Sequence, residues 1–226
     1  YVDNGGGLAM LGGDLSFSSG GYAGTVLEPV LPVRLLPEGA GAGRLTSVAR
    51  FKPRVTQEGR DHPILQLGAT REETARIIAD LPALEGVNLV ARLSPGATAL
   101  MTHPSLRVRG GSPMPVLATT ESGKGRTLAL TSDTSWHWAF LSAATGSGRQ
   151  AYDRFWRNAI RWLIRDPELK YLRIIAQQDR VNLGSTVKAV VRAYNPDYSL
   201  AAGLEVQHEI IPPPPENGGE SLKSTA

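Results

Sequence analysis

The sequence contains no cysteine. That excludes a disulfide framework, thiolate metal sites and a cysteine nucleophile within this chain, although it leaves the compartment open. Aromatic residues are sparse at 6%. No apolar run approaches the ~20 residues of a helical membrane span, and no signal-peptide pattern opens the chain. Charge of one sign is also scarce: 24 basic residues face 21 acidic ones, a formal balance of +3. The basic residues are dispersed, so the concentrated basic patch of a nucleic-acid binder is missing and no nucleic-acid partner is expected. The four histidines, His62, His103, His137 and His208, are far apart in sequence. None forms a ligand pair at helical spacing, so no metal site is expected, and no cofactor motif is present.

What is there suits a folded protein. With 226 residues, 41% hydrophobic and 20% charged, the chain can bury one large domain with a small appendage. It starts abruptly at Tyr1-Val2-Asp3-Asn4-Gly5, which reads as the inside of a domain, with any targeting segment lying outside the sequence.

Gly5-Gly6-Gly7, Leu8-Ala9-Met10-Leu11 and Gly12-Gly13 read as a turn, a short buried strand and a second turn. A continuous apolar run bounded by glycines predicts a central parallel strand covered on both faces. Asp14 to Thr25 is Ser/Gly-rich and loop-like. Further strands are expected at Leu45 to Phe51 and Ala97 to Met101, with a helix from about Glu72 to Asp80. Pro115 to Thr120 and Arg126 to Thr131 flank Ser122-Gly123-Lys124-Gly125, the pattern of a β-hairpin. The strongest helix signal runs from about Gln150 to Arg165. There Tyr152, Phe155, Trp156, Ala159, Ile160 and Leu163 recur at spacings of three and four, and Asp166-Pro167 stops the helix. Beyond it, Leu172 to Ile175, Val187 to Val191 and Leu204 to Ile211 read as successive strands without helices, the beginning of an immunoglobulin-like sandwich. Pro212 to Pro215 then opens a polar tail of linker composition. The chain thus divides into an α/β domain over 1–166, a β segment over 167–212 and a tail over 213–226.

Several pieces in order carry a family resemblance: Gly5-Gly6-Gly7-Leu8, Gly12-Gly13, Leu31-Pro32-Val33, His62-Pro63-Ile64-Leu65, Gly123-Lys124-Gly125-Arg126, Ser132-Asp133, Trp136-His137-Trp138 and Phe155-Trp156-Arg157-Asn158. Together they resemble the class I glutamine amidotransferase-like domains of large, uncharacterised bacterial membrane-associated proteins. The resemblance covers about residues 1–166. It implies a flavodoxin-like, mostly parallel sheet whose first strands and helix precede Tyr1. It also implies a bacterial, membrane-anchored polypeptide of which this portion is soluble, with membrane association only through segments outside the sequence.

In active members of that class, a strand ends in a sharp turn that presents cysteine to backbone amides and a helix dipole. The matching turn here is Leu11-Gly12-Gly13-Asp14, with glycine where the sulfur would sit. The later strand runs into Ser132-Asp133 rather than into a His-Pro-Glu sequence. Both halves of the amidotransferase chemistry are therefore absent at the matched positions.

The polar residues nearest the expected cleft at the strand C-termini are Asp14, Ser16, Asp133 and His137, beside Gly12, Gly13 and Trp136. Ser16, His137 and Asp133 can be written as nucleophile, base and orienter. Ser16 lacks the Gly-x-Ser-x-Gly elbow, however, so loop polarity is the simpler account. Ser122-Gly123-Lys124-Gly125-Arg126 is not a phosphate loop, because it joins two strands and opens no helix. The Trp136-His137-Trp138 triplet fits packing better than a ligand pocket. Arg154, Arg157, Arg161 and Arg165 form a helical stripe that suits a solvated face, with Arg161 paired to a carboxylate. His62 and His103 each precede proline and shape turns. The expectation is a non-catalytic binding or scaffolding module whose partners are proteins or other domains of the same polypeptide. The rival is a small-molecule binder or divergent hydrolase using the cleft near Asp14, Asp133 and His137. A sugar-binding role is a third and weaker reading.

Overall fold

The computed structural model of the chain describes residues 1–37, 39, 45–144, 149–166, 172–176 and 189–193. Its framework is a hairpin of β8 (Pro113–Ser122) and β9 (Gly125–Leu130), paired antiparallel from Leu117 and Leu130 to Ser122 and Gly125. The two-residue turn places Gly123 at φ 56°, the left-handed value that a tight hairpin turn asks of glycine. A Cβ there would also lie 2.7 Å from the Asp3 Cα, so the N-terminal segment packs directly on the turn.

β1 (Gly7–Leu11) lies parallel to β9, whereas β7 (Thr98–Arg107) pairs antiparallel with β8, and β4 (Arg54–Val55) antiparallel with β7. The order in this five-stranded sheet is β1-β9-β8-β7-β4. The expectation of a mostly parallel sheet is thus corrected to a mixed one, because the Gly123-Lys124 turn and its neighbours join adjacent strands by hairpins rather than crossovers. β1 is likewise not central among the described residues but the edge of its sheet. The strands that are covered on both faces are β8 and β9: Thr127, Leu128, Ala129 and Leu130 are each fully buried.

Two smaller ladders complete the β structure of this region: β2 (Val33–Arg34) with β6 (Arg92–Leu93), and β3 (Thr46–Phe51) with β5 (Leu84–Asn88). Helix α1 (Gln57–Arg60) is capped by the Thr56 hydroxyl, which accepts from Gly59 N at 2.9 Å. Helix α2 (Arg71–Asp80) starts at Thr70, whose hydroxyl accepts from Glu73 N at 3.1 Å, while the Glu73 carboxylate reaches back to Ala69 N at 2.7 Å.

Helix α4 (Gln150–Leu163) buries Phe155, Ala159 and Leu163 of the predicted stripe together with Trp162, which the stripe did not include, whereas Ile160 is 54% exposed. Gly7 lets the helix approach β1, since a Cβ there would stand 3.0 Å from Leu163. Helix α3 (His137–Ala144) was not expected; its buried Trp138 packs edge-on against Phe155 with centroids 5.3 Å apart. The Trp138 indole N–H donates to Pro82 O at 3.1 Å, so this buried aromatic keeps its polar atom satisfied.

The arginine stripe of α4 is mostly engaged. Arg161 pairs with Asp166 at 2.7 Å, as expected, and Arg154 donates to Leu67 O. Arg165, just beyond the helix, reaches Glu121 at 3.2 Å. Past this helix, β10 (Leu172–Ala176) and β11 (Ala189–Ala193) form an antiparallel pair at two of the three expected strands. The third, Leu204 to Ile211, and the tail over 213–226 lie outside the described residues.

Candidate functional site

Because β1 and β9 run in the same direction, their C-terminal ends bring the loops after Leu11 and Leu130 side by side. Gly12 N donates to Leu130 O at 2.8 Å. A Cβ on Gly12 would fall 2.6 Å from the Ser132 carbonyl carbon, so only glycine lets the two turns touch. Gly13 follows with φ 138°, a conformation that side chains other than hydrogen rarely adopt.

The group that organises this junction is Asn88, at the end of β5 and only 2% exposed. Its backbone N–H donates to Thr131 O at 2.7 Å, fixing it to the loop after β9. Its Oδ1 accepts from Gly13 N at 2.9 Å, and its Nδ2 donates to Gly13 O at 3.0 Å. The same Nδ2 lies within reach of Ser16 O at 3.3 Å and Ser19 Oγ at 3.4 Å. One amide therefore satisfies both backbone groups of Gly13 and gathers the loop that follows. The apolar surroundings of Asn88 in Val87-Asn88-Leu89-Val90 gave no sign of this role; a lone polar residue in a buried run was the available signal.

The Ser/Gly stretch is correspondingly more structured than its composition suggests. Phe17 is fully buried at φ 53°, anchoring the loop in the core, and the Ser18 hydroxyl accepts from Leu36 N at 2.8 Å. Gly20 lies so close to Leu15 that an added Cβ would meet its carbonyl oxygen at 2.2 Å.

The predicted cleft residues are brought to this end of the sheet only in part. Gly12 and Gly13 form the contact just described, whereas Asp14 and Asp133 are exposed. Among the described residues, no side-chain hydrogen bond joins Ser16, Asp133 and His137. Ser132 Oγ instead meets Thr134 Oγ1 at 3.0 Å, and Thr134 exchanges hydrogen bonds with the Glu85 backbone at 2.8 and 2.9 Å. His137, 8% exposed, lies edge-on to Trp136 with centroids 4.1 Å apart. Its Nδ1 is buried without a hydrogen-bond partner. Trp136 itself is 47% exposed and contacts the more exposed Phe140 edge-on at 6.0 Å. Thus Trp138 of the aromatic triplet is packing, while Trp136 is surface.

Of the two histidines expected to shape turns, His62 does so, whereas His103 lies within β7, and His208 is outside the described residues. His62 Nδ1 accepts from Ile64 N at 3.3 Å at the start of the 3-10 turn Pro63–Leu65, and its ring lies 5.4 Å from that of Trp162. Burial, reinforced by the positive Arg126 guanidinium, lowers the His62 pKa to about 4. His103 Nδ1 accepts from Leu106 N at 2.9 Å, where the β7–β8 register is irregular. Its pKa is lowered by burial first and by Arg107 second. Among the described residues no group of His, Asp and Glu is arranged to hold a metal ion.

Comparison with known proteins gives the fold a family. The solved structure titled "Cytoplasmic Protein STM3548 from Salmonella typhimurium" is similar at 26% identity and a TM-score of 0.52, over 72% of this chain and 57% of that one. A second, titled "Cytoplasmic Protein STM1381 from Salmonella typhimurium LT2", matches at 24% identity and a TM-score of 0.48, over the same shares. This chain therefore spans somewhat more than half the length of the solved structures it resembles. No curated protein matches. The family model GATase1_like, described as "Putative glutamine amidotransferase", matches residues 1–165. The chain belongs to that glutamine amidotransferase-like family.

Proposed function

We propose that the amidotransferase-like region is a non-catalytic binding or scaffolding module. The observation that carries this reading is the pairing of Gly13 with Asn88. In an acyl-transfer site the backbone amides at such a turn must be free to receive a developing oxyanion. Here the Gly13 N–H is already donated to Asn88 Oδ1 at 2.9 Å, and the chain holds no cysteine to attack an amide. A turn with its donor engaged and no nucleophile is a structural junction. Release of ammonia from glutamine by the purified chain, abolished by a substitution at Asp14, Ser16 or His137, would overturn the reading.

The further parts of the proposal rest on the sequence resemblance. The module would belong to a larger bacterial envelope-associated polypeptide, with protein partners or neighbouring domains as its ligands and an immunoglobulin-like segment beginning near residue 167. Support for the last part is the antiparallel pairing of β10 and β11. The solved relative is titled a cytoplasmic protein, so fractionation of the native polypeptide decides the location.

A second reading is favoured by one feature. The unpartnered Nδ1 of His137 beneath the exposed Trp136 would suit a small-molecule site or divergent hydrolase involving Asp14 and Asp133. Titration of a glycan and metabolite panel, monitored by Trp fluorescence, separates this reading from the first: a saturable change lost in Trp136→Ala supports it.

A further inference from the structure

A separate cleft of about 770 Å³ opens between the β3–β4 connection, α1 and α2. Its volume falls in the range of roughly 300–1,000 Å³ typical of small-molecule sites. Pro53, Val55, Ala75 and Ile78 supply apolar wall. Gly59 also lines the cleft, and sits so near β7 that a Cβ would meet Leu100 O at 2.1 Å.

The polar groups at its rim are unequal. Lys52, Arg60 and Arg71 line it against Asp61 and Glu72. Asp61 is neutralised by an ion pair with Arg71, and Lys52 Nζ donates to Ala79 O at 2.8 Å. Among the described residues Arg60 makes no side-chain hydrogen bond or ion pair, leaving a guanidinium with its donors available at the edge of an apolar wall. The two polar contacts just named also bind α2 to the opposite side of the cleft. Both are largely exposed, so each is weak and screened by salt, and α2 can yield to an occupant.

We infer that this cleft binds an amphipathic organic anion, its acidic head on Arg60 and its apolar body between Val55, Ala75 and Ile78. Lys52, Arg60 and Arg71 set against Asp61 and Glu72 leave the rim with one net positive charge, which selects an anion, and the apolar wall favours a hydrocarbon body over a sugar. This site is independent of the Asn88 junction and of the reading proposed for it.

The test is titration of the full chain with octanoate, and separately with octylammonium, followed by amide chemical shifts. Octanoate is expected to cause saturable shifts confined to residues 52–61 and 71–79, weakening in high salt, while octylammonium leaves these residues unmoved. Arg60→Glu, at an exposed position that cannot compromise folding by loss of burial, should weaken octanoate about tenfold, the scale of reversing one partly screened charge. Ile78→Asp should remove the shifts, with far-UV circular dichroism confirming its fold. The inference is overturned if octanoate gives no saturable shifts, if its shifts fall elsewhere, if octylammonium binds equally, or if Arg60→Glu binds octanoate as the parent does.

Discussion

Asn88 and Gly13 bind each other in both directions, Oδ1 accepting from Gly13 N at 2.9 Å and Nδ2 donating to Gly13 O at 3.0 Å, across 75 positions of sequence. A carboxamide is the side chain that can accept and donate to one peptide unit at once. Asn88→Ala should leave the buried end of this junction unsatisfied and cost about 2–3 kcal/mol. Asn88→Asp keeps the acceptor but loses the donor, and should also destabilise. Chemical denaturation measures both; a cost of only a few tenths of a kcal/mol for Asn88→Ala would show that water replaces the amide without penalty.

Gly12→Ala tests the contact between the two turns. Gly12 does not lie in the left-handed region, so the penalty is steric: the methyl would press on the Ser132 carbonyl carbon at 2.6 Å and on Thr131 O at 2.7 Å. Both neighbours are backbone and cannot swing aside. A loss of on the order of 2 kcal/mol is expected from thermal melts, the range of overpacking in a closed site.

Phe17→Ala removes the anchor of the loop after β1. The fully buried ring should cost about 3–5 kcal/mol. Hydrogen exchange is expected to accelerate throughout residues 14–25 while the α4 amides keep their relative protection. Uniform acceleration in both would mean that the loop unfolds only with the whole domain.

His62 gives the stability a pH dependence of fixed sign. Its folded-state pKa of about 4 lies below the ordinary value of 6.5, so the folded protein refuses a proton that the unfolded chain binds. Between those values stability falls as pH falls, and below about 4 the contribution is fully lost. The difference is on the order of 3 kcal/mol at its limit. His62→Asn retains an acceptor for Ile64 N and should flatten the slope of stability against pH over this window. It should not abolish the slope, because His103 is shifted in the same direction. An unchanged slope would show that His62 takes its proton without opposition.

Much of the fold was legible where a single period dominates. The α4 stripe from Phe155 to Leu163 and the hairpin around Gly123 are local patterns, and both elements formed within a few residues of their expected bounds. Sheet direction was less legible. Leu8–Leu11 reads as a buried strand whichever neighbour it pairs with, and its position in the sheet depends on residues more than a hundred places away. Helix α3 was hidden because Trp138, Ala139 and Phe140 carry no polar period. At the candidate site the glycines were visible as glycines, but the role of Asn88 was not, since its shortest contacts are to the Gly13 backbone, which leaves no trace in residue type.

With the Gly13 N–H held by Asn88 and no cysteine in the chain, the junction of β1 and β9 is proposed to be closed to acyl-transfer chemistry. The most direct measurement is ammonia release from glutamine by the purified chain, compared with Ser16→Ala and His137→Ala. No release above buffer is expected from any of the three. Turnover by the parent that either substitution removes would contradict this proposal.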